Sequence, residues 1–221
     1  MFRAAIFDMD GTLVDSEEYW RIAEREVFGT VDIEVTDQGA AETAPMTPRQ
    51  VTEHWYRVRP WTGPSLEHME AAVVARVAEQ FRERCRMLPG VNTVLECCER
   101  QGWRVALASN SPRMICELVL AELGIAPRFQ AVVSADDVER GKPDPAIYLL
   151  AAERLGVPPR DCLAFEDTLT GVRAARAAGM CVVGIPSTGQ SFPPTAPHLL
   201  LSALDQFDVD HARRLWQAAF R

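Results

Sequence analysis

Ala4-Ala5-Ile6-Phe7-Asp8-Met9-Asp10-Gly11-Thr12 decides the reading of this chain. The tetrad Ala4 to Phe7 has the shortness and unbroken hydrophobicity of a strand buried on both faces. It stops on two carboxylates and a glycine, so the chain leaves the sheet edge carrying two acids. Open parallel sheets hold ligands at the carboxyl ends of their strands. Two acids placed there repel each other unless a cation joins them.

The pattern occurs twice more. Val105-Ala106-Leu107-Ala108 runs into Ser109-Asn110-Ser111, and Cys162-Leu163-Ala164-Phe165 runs into Glu166-Asp167-Thr168. Laid side by side, the three strand ends form one pocket holding Asp8, Asp10, Ser109, Glu166 and Asp167. Lys142, in Gly141-Lys142-Pro143-Asp144-Pro145, is the only lysine; the other 22 of 23 cationic side chains are arginine. A lone ammonium among guanidiniums suggests a task suited to a compact point charge.

These residue types fit metal-dependent phosphoryl transfer. Phosphate monoesters resist hydrolysis so strongly that catalysis faces a gap of up to ~10²¹-fold. Two displacements through a covalent intermediate lower each barrier. Asp8 is read as the nucleophile and Asp10 as the acid/base. Asp8, Asp10, Asp167 and Glu166, the last directly or through water, are read as holding Mg²⁺, with Asp10 contributing its backbone carbonyl. Oxygen ligands with retained waters suit that ion. Ser109, Asn110 and Lys142 are read as binding the phosphate.

Asp-x-Asp-Gly-Thr, a serine after a strand, Lys-Pro and then Glu-Asp, in that order, resemble the four motifs of the haloacid dehalogenase-like superfamily of hydrolases. The likeness spans essentially the whole chain. Trp55-Tyr56, Pro60-Trp61-Thr62-Gly63-Pro64-Ser65 and Ser134 through Pro143 are similar to stretches of its hexitol phosphatase and 2-deoxyglucose-6-phosphate phosphatase group, in the β-phosphoglucomutase-like subfamily. The resemblance implies a phosphatase acting on a small phosphorylated sugar or polyol through an aspartyl-phosphate. Alternatives are a phosphosugar mutase and a phosphoglycolate phosphatase; a non-catalytic phosphate-binding module fits the intact motifs less well. Mutases of the superfamily carry a cap histidine where this chain has Trp20, and a cap lysine that it lacks.

The expected fold is α/β, a Rossmann-like three-layer parallel sheet with an inserted all-helical cap. Strands alternate with helices from residue 89 onward. Residues 15–87 read as helices with no convincing strand, about 17–28, 47–59 and 65–85, and 29–46 hold no periodicity. The core is therefore placed at 1–14 and 88–221 and the cap at 15–87. Ser16 is expected to cap the first cap helix. Ser187 to Pro197 reads as a surface loop, followed by a last strand at 198–201 and a last helix at 210–220. Arg49 is the cap residue expected to contact substrate; Trp20, Trp55, Trp61 and Met69 face either the cap core or the substrate.

A net charge of −8 argues against nucleic-acid and anionic-membrane partners. It would also repel a phosphate substrate, so the pocket must supply its own positive potential. No apolar run reaches the ~20 residues of a membrane span. The six cysteines form no C-x-x-C pair and read as buried thiols of a reducing cytoplasm. A monomer or weak dimer with a small phosphorylated metabolite as its partner completes the expectation.

Overall fold

The computed structural model describes residues 1–187, 192–193 and 196–219. Six strands, β1 (Ala4–Phe7), β2 (Arg104–Ala108), β3 (Ala131–Val133), β4 (Cys162–Glu166), β5 (Cys181–Gly184) and β6 (Leu199–Leu200), form one sheet in the order β3-β2-β1-β4-β5-β6. Every neighbouring pair is parallel. Nine α-helices lie among the described residues. α1 (Glu17–Gly29), α2 (Asp37–Thr43), α3 (Pro48–Val58) and α4 (Leu66–Arg84) come before the second strand. α5 (Val91–Gln101), α6 (Arg113–Glu122), α7 (Ala146–Leu155), α8 (Leu169–Ala177) and α9 (Val209–Ala219) alternate with the later strands. This is the expected α/β fold with a helical insertion after β1.

The sheet is buried on both faces, and the two faces differ in size. Phe7, Leu107 and Phe165 share one face with Val105 and Val183. Ala4, Ile6, Ala106, Ala108 and Ala164 share the other. Period-2 alternation therefore sorts large from small, where a one-sided sheet would sort apolar from polar. On the large face the rings of Phe7 and Phe165 stack at 4.6 Å. Against the small face packs α7, which contacts β1, β2 and β3 and brings Ile147 and Tyr148 into the core.

The four cap helices pack chiefly through α4, which contacts both α1 and α3. α3 starts on the capping box that Thr47-Pro48 with Gln50 allows: Thr47 Oγ1 accepts from the Gln50 amide at 3.3 Å, and Gln50 Oε1 accepts from the Thr47 amide at 3.0 Å. The stretch 29–46 does contain a helix, α2. Its sequence, Asp37-Gln38-Gly39-Ala40-Ala41-Glu42-Thr43, has no apolar stripe. Gly39 is there for contact: a Cβ on it would sit 2.6 Å from the Trp55 ring. The chain's two crossings between insertion and sheet lie side by side, because Val14 bridges Met87 and the Leu88 amide donates to Leu13 O at 2.9 Å.

The loop expected over 187–197 falls partly outside the described residues, at 188–191 and 194–195, as does residue 220 of the last helix. No described helix is long and apolar enough to cross a membrane. All six cysteines are free, five of them buried.

Candidate active site

Sheet register assembles the site. Phe7 is level with Leu107 on one side and with Phe165 on the other. The next residues, Asp8, Ala108 and Glu166, are therefore level at the carboxyl edge of the sheet, with Ser109 and Asp167 one step beyond. Strand ends that lie far apart in sequence meet at one edge, and the apolar tetrads set the alignment.

Lys142 ties this edge together. Its ammonium donates to Asp8 Oδ1 and to Glu166 Oε1, each at 2.6 Å. Only two of three ammonium donors are spent, and Lys142 also lines the cavity above the sheet edge. Tyr148 donates its hydroxyl to the same Glu166 oxygen, and its ring lies 5.2 Å from the Lys142 nitrogen. Glu166 is fully buried. It is the anchor of Lys142, with its carboxyl pressed against Gly171: a Cβ there would sit 2.0 Å from a carboxylate oxygen.

Asp10 has a separate set of donors. Ser16 and Trp20 donate to Oδ1, the indole at 3.0 Å. Ser111 donates to Oδ2 at 2.7 Å, with Ser109 farther off at 3.5 Å. Ser16 thus gives its hydroxyl to Asp10; it makes no capping bond to α1. The expected cap fails because a carboxyl competes better for the hydroxyl than a helix amide does. Gly11, at φ +76°, turns the chain directly after Asp10, and a Cβ there would lie 2.0 Å from Asp167 Oδ2. Glycine is required by both the backbone and the contact.

Three carboxylates, Asp8, Glu166 and Asp167, offer ligand atoms within 4.8 Å of one another. One ammonium does not balance them. Burial pushes the Asp8 carboxyl up to about 7, Lys142 opposes that rise, and Glu166 and Asp10 add to it. Burial likewise holds Asp167 well above the usual carboxylate range, with Asp8 and Glu166 reinforcing the effect. Burial works to lower the Lys142 ammonium, but Asp8 and Glu166 outweigh it and hold it above its ordinary value. Asp167 Oδ1 is buried without a hydrogen-bond partner. An all-oxygen cluster, deficient in positive charge and with an orphaned oxygen, fits a hard divalent cation.

The cavity measures about 340 Å³, within the range of small-molecule sites (roughly 300–1,000 Å³). Its floor is Asp8, Asp10, Ser109, Asn110, Lys142 and Asp167; its roof comes from the insertion and includes Trp20 and Glu24 on α1 and Met46 between α2 and α3.

A family model described as haloacid dehalogenase-like hydrolase matches residues 2–179. The chain belongs to that family. Hexitol phosphatase B of Escherichia coli is 37% identical over 185 residues, 83% of either chain. Fructose-1-phosphate phosphatase YqaB of the same organism is 34% identical over 189 residues, covering 83% of this chain and 96% of its own. Among solved structures, CbbY from Rhodobacter sphaeroides in complex with phosphate superposes with a TM-score of 0.86 at 26% identity, over 93% of this chain and 96% of its own. β-Phosphoglucomutase from Clostridium difficile shares the fold, with a TM-score of 0.88 at 23% identity over 99% and 98%. Within the haloacid dehalogenase-like hydrolases this chain is an enzyme of the phosphatase class.

The fold gathers seven of the eight residues singled out from sequence: Asp8, Asp10, Ser109, Asn110, Lys142, Glu166 and Asp167. Asn110 is committed to the lysine loop. Its amide donates to Pro45 O at 3.1 Å and to Lys142 O at 3.3 Å, while its carbonyl accepts from the Lys142 amide at 2.8 Å. With both side-chain donors spent, Asn110 can offer a phosphate only its backbone amide. Arg49 stands apart. It pairs with Glu53 at 2.7 Å and Glu67 at 2.8 Å and is not among the residues lining the cavity. Trp55 and Met69 are cap core, and Trp61 packs against that core.

Sequence reasoning passed over Tyr148, Ser111 and Glu24. Ser111 stood in the quoted Ser109-Asn110-Ser111 cluster. Tyr148 and Glu24 had no local signal, since each sits in an ordinary helical pattern.

Proposed function

We propose that this chain hydrolyses a small phosphorylated sugar or polyol, with Mg²⁺ as cofactor and an aspartyl-phosphate on Asp8 as intermediate. The observation that carries the reading is the separation of the two acids. Asp8 is held by Lys142, and Asp10 by Ser16, Trp20 and Ser111, with no shared donor. Two carboxyls in different environments take different protonation roles.

Lys142 fixes Asp8 through Oδ1, so Oδ2 is the oxygen that attacks phosphorus. As that bond forms, the ester P–O bond breaks and the leaving oxygen takes the proton of Asp10. Water then attacks the phosphoryl group, Asp10 recovers a proton from it, and the Asp8–phosphorus bond breaks to release orthophosphate. The third Lys142 donor and the Ser109 hydroxyl hold phosphoryl oxygens in both steps. Asp8 and Asp167 with Glu166 would hold Mg²⁺, which supplies charge neutralisation at the phosphoryl group when bound.

Water as acceptor is favoured because the single lysine is bound at Asp8, leaving the cap no ammonium for a second phosphate. The sugar or polyol class is supported by the relatives named above. We take the division into core and cap at 1–14 and 88–221 against 15–87, supported by the paired crossings at 13–14 and 87–88. The free buried thiols support a cytoplasmic setting, and we take the working unit to be a monomer or weak dimer.

Phosphate release from a panel of phosphorylated metabolites, with and without Mg²⁺, tests this. Hexitol and 2-deoxyhexose phosphates are expected to lead the panel, and Asp8→Asn to abolish turnover while the fold persists. Isomerisation of a hexose phosphate without phosphate release, or an Asp8→Asn variant with most of its rate, overturns it.

A further inference from the structure

Glu24 is an anomaly in the roof of the cavity. It lines the cavity, yet it is 7% exposed. Among the described residues no hydrogen bond or ion pair reaches its carboxyl, and burial is the sole influence on its titration. Of the other charged side chains that line the roof, Arg21 and Asp37 are paired with each other at 3.3 Å, Arg25 takes the same Asp37 oxygen at 2.6 Å, and Glu17 is itself an acid with no bond to offer a carboxylate. The other cap residues around the opening include Thr43, Met46 and Val51, and none of them bonds to Glu24.

A buried carboxyl without a partner destabilises a fold. Packing alone would be served better by leucine or methionine at this position. The natural partner of such a group is whatever fills the cavity. Position along α1 says which part of that occupant it meets. Trp20, bonded to Asp10, and Glu24 are four residues apart on one helix face. At 1.5 Å per residue, Glu24 is about 6 Å farther from the phosphate end.

We propose that Glu24 reads the end of the substrate remote from the phosphate: its carboxyl hydrogen-bonds hydroxyl groups there and rejects substrates bearing a second anion at that end. The inference rests on the phosphatase reading above and narrows it to neutral, polyhydroxylated phosphate monoesters. A carboxyl can accept from two neighbouring hydroxyls at once, and a site built to bond a hydroxyl discriminates strongly against analogues lacking it.

The test compares kcat/KM for sorbitol 6-phosphate, 6-phosphogluconate and para-nitrophenyl phosphate in the parent, Glu24→Gln and Glu24→Leu, with Mg²⁺. The first two esters differ at the far end, a hydroxymethyl group against a carboxylate. At about pH 8, above the range in which burial keeps the Glu24 carboxyl protonated, the parent is expected to favour sorbitol 6-phosphate over 6-phosphogluconate strongly, and Glu24→Gln to cut that ratio by about tenfold, the scale of one lost charge contact. Glu24→Leu is expected to cut the ratio of sorbitol 6-phosphate to para-nitrophenyl phosphate by tenfold or more, while melting no lower than the parent. Ratios within about twofold of the parent in both variants overturn this inference alone. If the parent releases phosphate from none of the three esters, the phosphatase reading falls, and this inference with it.

Discussion

Trp20, on the first helix of the insertion, donates its indole N–H to Asp10 Oδ1 at 3.0 Å. The bond joins the roof of the cavity to the proposed acid/base on its floor. Trp20 also lines the cavity, so in the proposed mechanism one side chain both covers the substrate and orients the proton donor. Removing the donor while keeping an aromatic ring isolates the second task. Trp20→Phe is expected to lower kcat for an alkyl phosphate by about tenfold, the lower end for a hydrogen bond to a charged group. The loss should be much smaller for para-nitrophenyl phosphate, whose leaving group needs no proton. Equal losses on both esters, measured as steady-state kcat, would contradict the positioning role.

Lys142 carries the charge balance of the floor. Replacing it by alanine leaves Asp8, Glu166 and Asp167 clustered without their ammonium. Breaking a buried pair in this way costs about 3–5 kcal/mol. Lys142→Ala should therefore melt well below the parent, and added Mg²⁺ should recover part of the melting temperature but not the rate. Lys142→Arg should not restore activity, because a planar fork does not fit where a point charge reaches two carboxylates. The lysine is also shielded: it is 7% exposed. Amine reagents should leave it unmodified in the native protein and label it on unfolding, as read by peptide mass spectrometry. Rapid native labelling of Lys142 would contradict this burial.

Much of this was legible in the sequence. The parallel sheet announced itself because a strand buried on both faces has no polar alternation to obscure it. The acids were legible because two carboxylates side by side at a strand end are costly unless a cation joins them, and the pattern occurs at both Asp8-Asp10 and Glu166-Asp167. Other parts depended on contacts invisible along the chain. Tyr148 sits in Ala146-Ile147-Tyr148-Leu149-Leu150 and reads as core; only the small alanine face of the sheet lets its helix approach Glu166. Arg49 looked available because Glu67, one of its partners, is 18 residues away. Ser16 looked like a cap because its competing acceptor, Asp10, lies outside the helix it precedes. The short helix at Asp37–Thr43 has no apolar stripe, and its glycine answers to Trp55.

Glu24 predicts a pH signature of stability. Burial pushes its carboxyl from an ordinary value of 4.5 up to about 7. Between these values the folded chain keeps a proton that the unfolded chain releases, so stability falls as pH rises through the window. The loss approaches about 3 kcal/mol by pH 7 and vanishes below pH 4.5. Glu24→Gln cannot titrate. Its melting temperature relative to the parent should climb steadily from pH 4.5 to 7. A constant difference across that range would show that Glu24 is not held neutral by burial.

The covalent step on Asp8 is the central claim, and the configuration at phosphorus tests it most directly. A phosphorothioate monoester made chiral at phosphorus with two oxygen isotopes is hydrolysed in water of the third isotope, and the configuration of the released thiophosphate is read by phosphorus NMR. Two successive in-line displacements, first by Asp8 and then by water, invert twice, so the account predicts net retention. Net inversion would mean that water attacks the ester directly and that Asp8 never carries the phosphoryl group.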